Sequence, residues 1–191
     1  MKKGANKKII IISGPSGSGQ DTLIQELRAF MRFTKVITTT SRTQREGERQ
    51  SRDYFFVTQQ AFEKALADGA LLEWKKVYGE YKGITHKAFN RAVKERYPVL
   101  LKLDWRGSQT IKQLFPNALA VGIRLPKISI LKRRIARRQK DGQHIFERRW
   151  KGTQEWLKHY DIYDVVIDNE EGKVRQTSRK LASLIKHYLE S

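Results

Sequence analysis

Cysteine is absent from all 191 residues. That excludes disulfides and thiolate metal sites and leaves the redox compartment open. No apolar run approaches the ~20 residues needed to span a bilayer, so no membrane insertion is expected. Acidic side chains are scarce: 20 Asp and Glu stand against 39 Lys and Arg, for a net charge of +19. Such a balance suits polyanions, whether nucleotides, nucleic acid or an anionic surface, although ordinary surface chemistry also produces it. No RNP, KH or helix-turn-helix signature accompanies the charge. Trp74, Trp105, Trp150 and Trp156 serve core packing at least as well as base stacking. The basic start, MKKGANKK, leads into a short strand-like run rather than a secretory signal, so a cytoplasmic location is the default expectation.

Hydrophobic residues make up 39% of the chain, enough for a core at this length and for one domain, with or without inserted lobes. Strand-like apolar runs recur at 9–12, 55–57, 71–74, 99–103, 119–125 and 165–167. Between them lie helical patterns. Leu23, Ile24, Leu27, Phe30 and Met31 form one stripe after Asp21, whose carboxylate suits a helix start. Further helices are expected over 60–67, 85–95, 107–114, 128–139, 146–159 and 174–190. Alternation of this kind predicts an α/β fold with a largely parallel sheet and helices on both faces. Residues near 38–90 break the rhythm with short strands and turns at Gly47, Gly69, Gly79 and Gly83, and read as an inserted lobe.

The first strand runs into Gly14-Pro15-Ser16-Gly17-Ser18-Gly19 and then a helix. Successive backbone N–H groups in such a loop, closing at a helix N-terminus, form a concave phosphate site. The Gly14-x4-Gly19 spacing matches the P-loop pattern, which continues with Lys to bridge phosphates and Ser or Thr to hold magnesium. Here Gln20 and Asp21 follow. Gln20 keeps donors but no charge; Asp21 repels phosphate unless a metal sits between them; Thr22 supplies a hydroxyl one position later.

Arg42-x2-Arg45-x-Gly47-Glu48, followed by Asp53-Tyr54 and Glu73-Trp74 behind that loop, resembles guanylate kinase from about Ile9 to Leu189. The resemblance implies a P-loop nucleoside-monophosphate-kinase fold. Its parts are a parallel five-stranded core (1–37 and 88–191), an inserted mixed β GMP-binding lobe (38–87) and a helical lid (about 134–151). It implies ATP and Mg2+, GMP or dGMP as acceptor, and a monomer or homodimer. Arg42 and Arg45 would grip the acceptor phosphate bidentately and Tyr54 would add its hydroxyl. Glu73 would accept the guanine N1–H and amine. Thr38 and Thr39 fall where the family reads the base, and Asp104 on the family's acid near the guanine. Arg134, Arg138 and Arg149 fall on lid arginines that would stabilise the transferring phosphoryl group.

The chain also departs from the family. Besides Gln20, Lys102 stands where an acid often linked to magnesium is usual, and Lys82 and Ile84 replace a Tyr and a small hydroxyl residue. Tyr81 comes one place early and would point away on a regular strand. One expectation is a rearranged site: Lys102 reaches the phosphates, Asp21 with Thr22 takes the magnesium, and Lys82 binds the GMP phosphate as a cation. A second is a binding module that has lost catalysis, and a third is nucleic-acid binding through the basic surface.

Overall fold

The computed structural model describes residues 7–77, 79–137 and 143–191. In chain order the elements are β1 (Ile9–Ser13), α1 (Gln20–Leu27), β2 (Thr34–Lys35), β3 (Thr39–Thr40), β4 (Phe55–Phe56), α2 (Gln59–Ala67), β5 (Leu71–Val77) and β6 (Glu80–Thr85). There follow α3 (His86–Lys94), β7 (Val99–Leu103), α4 (Trp105–Leu114), β8 (Leu119–Arg124), α5 (Ile128–Arg137), α6 (Gln143–Trp156), β9 (Val165–Asp168) and α7 (Val174–Glu190).

β1, β2, β7, β8 and β9 form a parallel sheet in the order β2-β7-β1-β8-β9. β1 is buried on both faces, which is why it reads as an unbroken run of isoleucines. Ile10 and Ile12 pack with Leu23, Leu27, Leu181 and Ile185 under α1 and α7. Ile9 and Ile11 pack on the other face with Phe89, Ile111, Trp156 and Tyr163. The chain runs outward in opposite directions from β1, so the loop after β1 opens at a topological switch point, where open α/β sheets bind ligands.

A second sheet, β4-β3-β6-β5, is mixed: β3 and β4 run parallel, while β6 is antiparallel to both β3 and β5. Leu125, Leu131 and Ile135 make a separate small core with Phe146 and Trp150 between α5 and α6. No helix of the described residues is long and apolar enough to cross a membrane.

Two local expectations are corrected. The stripe that continued to Met31 overruns α1, which ends at Leu27. The chain turns there to bury Phe33 beneath the Arg28 guanidinium (4.6 Å), while Phe30 and Met31 still pack on the core. β2 and β3 went unanticipated because two residues are too few to show a period; pairing with neighbouring strands defines them.

Candidate active site

Gly17 and Gly19 both sit at φ 89, the left-handed region that favours glycine. A Cβ on Gly14 would lie 2.8 Å from the Ile123 carbonyl oxygen, so close approach to β8 requires glycine there as well. Asn169, just after β9, donates from Nδ2 to the Ser18 carbonyl (2.7 Å), and the Tyr163 hydroxyl donates to Ser13 Oγ (2.7 Å). The loop is thereby tied to three strands. Gln20 folds back and donates its amide to the Gly14 carbonyl, so the residue in the lysine's place is committed to the loop itself. Ser16 and Asp21 are exposed and line the cleft; Thr22 is exposed and lies outside the lining.

The cleft has a volume of about 1060 Å³ and runs from this loop to the small sheet. Lys102 lines it. Its side chain is 16% exposed, with Nζ 2.6 Å from Asp21 Oδ1 and 3.1 Å from the Tyr54 hydroxyl. Burial works to strip the charge from this ammonium, but Tyr54 and Asp21 outweigh it and raise the pKa above the ordinary lysine value. Lys102 is therefore a permanent cation beside the loop. β7 explains its direction: Leu100 faces the α1 side of the sheet, so Lys102, two residues on, faces the same way.

Around the expected acceptor phosphate, Arg45, Tyr54 and Lys82 line the cleft. Arg42 does not. Its side chain, 6% exposed, is held bidentately by Glu48 (2.8 and 2.9 Å), donates to the Thr43 carbonyl (2.6 Å) and stacks over Tyr54 and Phe56. Glu48 also accepts from the Arg45 backbone N–H (2.9 Å). Although burial opposes the charge, Arg42 and Arg45 hold the Glu48 carboxyl below its ordinary range. Arg42 and Glu48 thus brace the turn that carries Arg45. Lys82 faces Lys75 directly across the β5–β6 pair. The Lys75 ammonium is paired with Asp104; Lys82 has no ion pair among the described residues, and burial, followed by Lys75, lowers its pKa to about 8. Tyr81 points away, stacked on Phe62 (5.0 Å) with its hydroxyl on Glu63 (3.2 Å), and Ile84 is core.

At the far end, Thr38 lines the cleft while Thr39 is buried behind it. Glu73 is 4% exposed, and its buried Oε1 accepts no hydrogen bond among the described residues. Burial, with Asp104 adding and Lys75 opposing, raises its pKa to about 7. A Cβ on Gly107 would stand 2.6 Å from that oxygen, so glycine at the first turn of α4 makes room for the carboxylate. Asp104 caps the same turn, accepting from the Gly107 N–H (3.0 Å).

Arg134 reaches the loop from α5, donating to the Gly17 carbonyl (3.2 Å) beside Glu171 (3.7 Å), and does not line the cleft. Arg138 lies outside the described residues, as does the side chain of Arg149, whose backbone belongs to α6. Lys75, Gly107, Asn169 and the α6 pair Thr153 and Trp156 at the cleft wall were missed in the sequence. Strand alternation after Glu73 was the available signal for Lys75.

Comparison with known proteins agrees across nearly the whole chain. The family description "Guanylate kinase" matches residues 6–188. The guanylate kinase of Carboxydothermus hydrogenoformans is 35% identical over 172 residues, covering 90% of this chain and 83% of that one. That of Bacillus subtilis is 32% identical over 181 residues, covering 94% and 89%. Among solved structures, the guanylate kinase from Anaplasma phagocytophilum superposes with a TM-score of 0.74 at 24% identity, covering 95% of this chain and 85% of that one, which shows a common fold.

Proposed function

The chain belongs to the guanylate kinase family, and from that membership we propose how it moves the γ-phosphoryl group of ATP to GMP, giving ADP and GDP: Lys102 supplies the cation that the loop lacks. The observation that carries this reading is the position of its Nζ between Asp21, on the phosphate-loop helix, and Tyr54, on the acceptor lobe. A phosphoryl group passing between the two nucleotides develops charge over its oxygens in that interval, and phosphoryl transfer is catalysed almost wholly by positioning and electrostatics.

The remaining roles follow from what each group offers. The N–H groups of Gly14–Gly19 cradle the donor phosphates. Arg45, Tyr54 and Lys82 hold the GMP phosphate, with Arg42 bracing Arg45 from behind. Glu73, whose Oε1 accepts no hydrogen bond among the described residues, takes the guanine N1–H and amine; Thr38 lines the same cleft. Arg134, and Arg138 and Arg149 by resemblance, close over the donor from the lid, excluding water so that the phosphoryl group goes to GMP.

The donor set fits a magnesium ion in one respect. Asp21 presents an exposed carboxylate into the cleft, and magnesium on a nucleotide uses one or two protein carboxylates and fills the rest of its shell with phosphate and water. Bound there through Asp21, the ion would neutralise charge on the donor phosphates. Thr22 takes no part in this proposal.

The test is ADP release with ATP, magnesium and GMP, with AMP, CMP and UMP as comparators, in the wild type and in Lys102→Met. GMP-selective turnover that collapses in the variant is expected. Wild-type turnover that survives the substitution would remove Lys102 from the mechanism.

A further inference from the structure

Glu73 and Asp104 place two carboxylates at one end of α4. Asp104 caps the helix through the Gly107 N–H, and Glu73 lies against Gly107 so closely that a methyl group there would meet Oε1 at 2.6 Å. Two carboxylates sharing one site disfavour each other's ionisation, and the more buried one suffers most. A protonated Glu73 would serve guanine poorly, because the N1–H and the exocyclic amine are both donors and need an acceptor.

One basic side chain acts on both members of the pair. Lys75 follows Glu73 by two on β5 and therefore emerges on the same face. Its ammonium bonds Asp104 Oδ1, and the two side chains are only 13% and 23% exposed. We propose that Lys75 is a positioning residue of the base pocket, clamping Asp104 to the start of α4 and compensating its charge so that Glu73 meets guanine as a carboxylate. This inference rests on Glu73 as the base-reading group and goes beyond it by naming what keeps it competent. The charged groups that face Glu73 are Lys75 from β5 and Asp104 from the end of β7. Burial raises the Glu73 pKa most; Asp104 adds to that and Lys75 opposes it, in the sense the geometry requires.

The test is the pH dependence of KM for GMP in the wild type, Lys75→Met, Lys75→Arg and Glu73→Gln. In the wild type KM rises as the pH falls below about 7, where Glu73 takes up a proton. Removing the ammonium moves that limb to higher pH by about one unit, which is roughly a fivefold higher KM at pH 7, approaching about tenfold below pH 6. The effect falls on KM for GMP, with KM for ATP unmoved, and Lys75→Arg restores the wild-type limb. A limb that stays in place in Lys75→Met overturns the proposal. If Glu73→Gln leaves both the limb and the preference for GMP over AMP intact, the fault lies in the reading of Glu73 and not in Lys75. Should Lys75→Met fail to fold, Asp104→Asn decides: removing the neighbouring charge must move the limb to lower pH, and an unmoved limb refutes the coupling.

Discussion

Lys102 Nζ touches Asp21 Oδ1 at 2.6 Å and the Tyr54 hydroxyl at 3.1 Å, so a single side chain joins the phosphate-loop helix to the acceptor lobe. In Lys102→Met the loop keeps its shape, because Gln20, Asn169 and Tyr163 hold it independently. Turnover should fall by about 10²- to 10³-fold, the size of a lost charge-stabilising contact. GMP should still raise the melting temperature, because the base pocket is untouched. Gln20→Lys should lower activity rather than raise it, since a second ammonium would crowd Lys102 and break the bond to Gly14. A gain in steady-state kcat for that variant would show that the loop site had decayed and not been rewired.

The sheet core was legible because its signals are local. Burial on both faces turns β1, β7 and β8 into apolar runs, and the glycine loop follows β1 directly. The shortest strands were not legible. Thr34–Lys35, at the edge of the parallel sheet, and Thr39–Thr40, in the lobe, are two residues each, and their strand character comes from the backbone partners that the fold brings to them. The same divide runs through the site. The departures at Gln20, Lys82 and Lys102 stood out in the sequence as charges gained or lost. The spacing of Arg42 and Arg45 could not tell that Glu48 would draw one guanidinium inward. Nor could it show that Lys75 reaches Asp104, a contact that depends on the small sheet packing against α4.

The two arginines therefore make different predictions. Arg42 is a buried partner of Glu48, and removing one member of such a pair strands the other; Arg42→Ala should cost about 3–5 kcal/mol of stability in urea unfolding. Arg45 lines the cleft, so Arg45→Ala should leave stability nearly unchanged and raise KM for GMP at least about tenfold while sparing ATP. Equal losses of GMP and ATP affinity in Arg45→Ala would make it a structural residue too.

Lys82 sets an alkaline limit. Its pKa, lowered to about 8 by burial and by Lys75 opposite, means that the free enzyme loses this cation as the pH rises through that value. KM for GMP should climb above pH 8 in the wild type. Lys82→Arg, which stays charged, should flatten the climb to beyond pH 9, and Lys82→Met should show the high KM at every pH. A wild-type KM that is flat from pH 7 to 9 would mean that Lys82 does not meet the phosphate.

Glu73 carries a stability cost that can be measured without any substrate. Its folded pKa of about 7 lies above the ordinary 4.5, so between those values the folded chain holds a proton that the unfolded chain has released. Stability from this group is therefore greatest below pH 4.5, falls as the pH rises to about 7 and stays low beyond it. A difference of about 2.5 between those values corresponds to at most roughly 3.5 kcal/mol, at about 1.4 kcal/mol for each. Glu73→Gln cannot titrate, so its urea-unfolding free energy should lose about 2–3 kcal/mol less than the wild type between pH 5 and pH 8. Bound GMP should shrink the difference, because its donors stabilise the ionised carboxylate. Parallel pH profiles for the two proteins would mean that Glu73 ionises freely in the empty cleft, and that the pocket places no cost on the charge it needs.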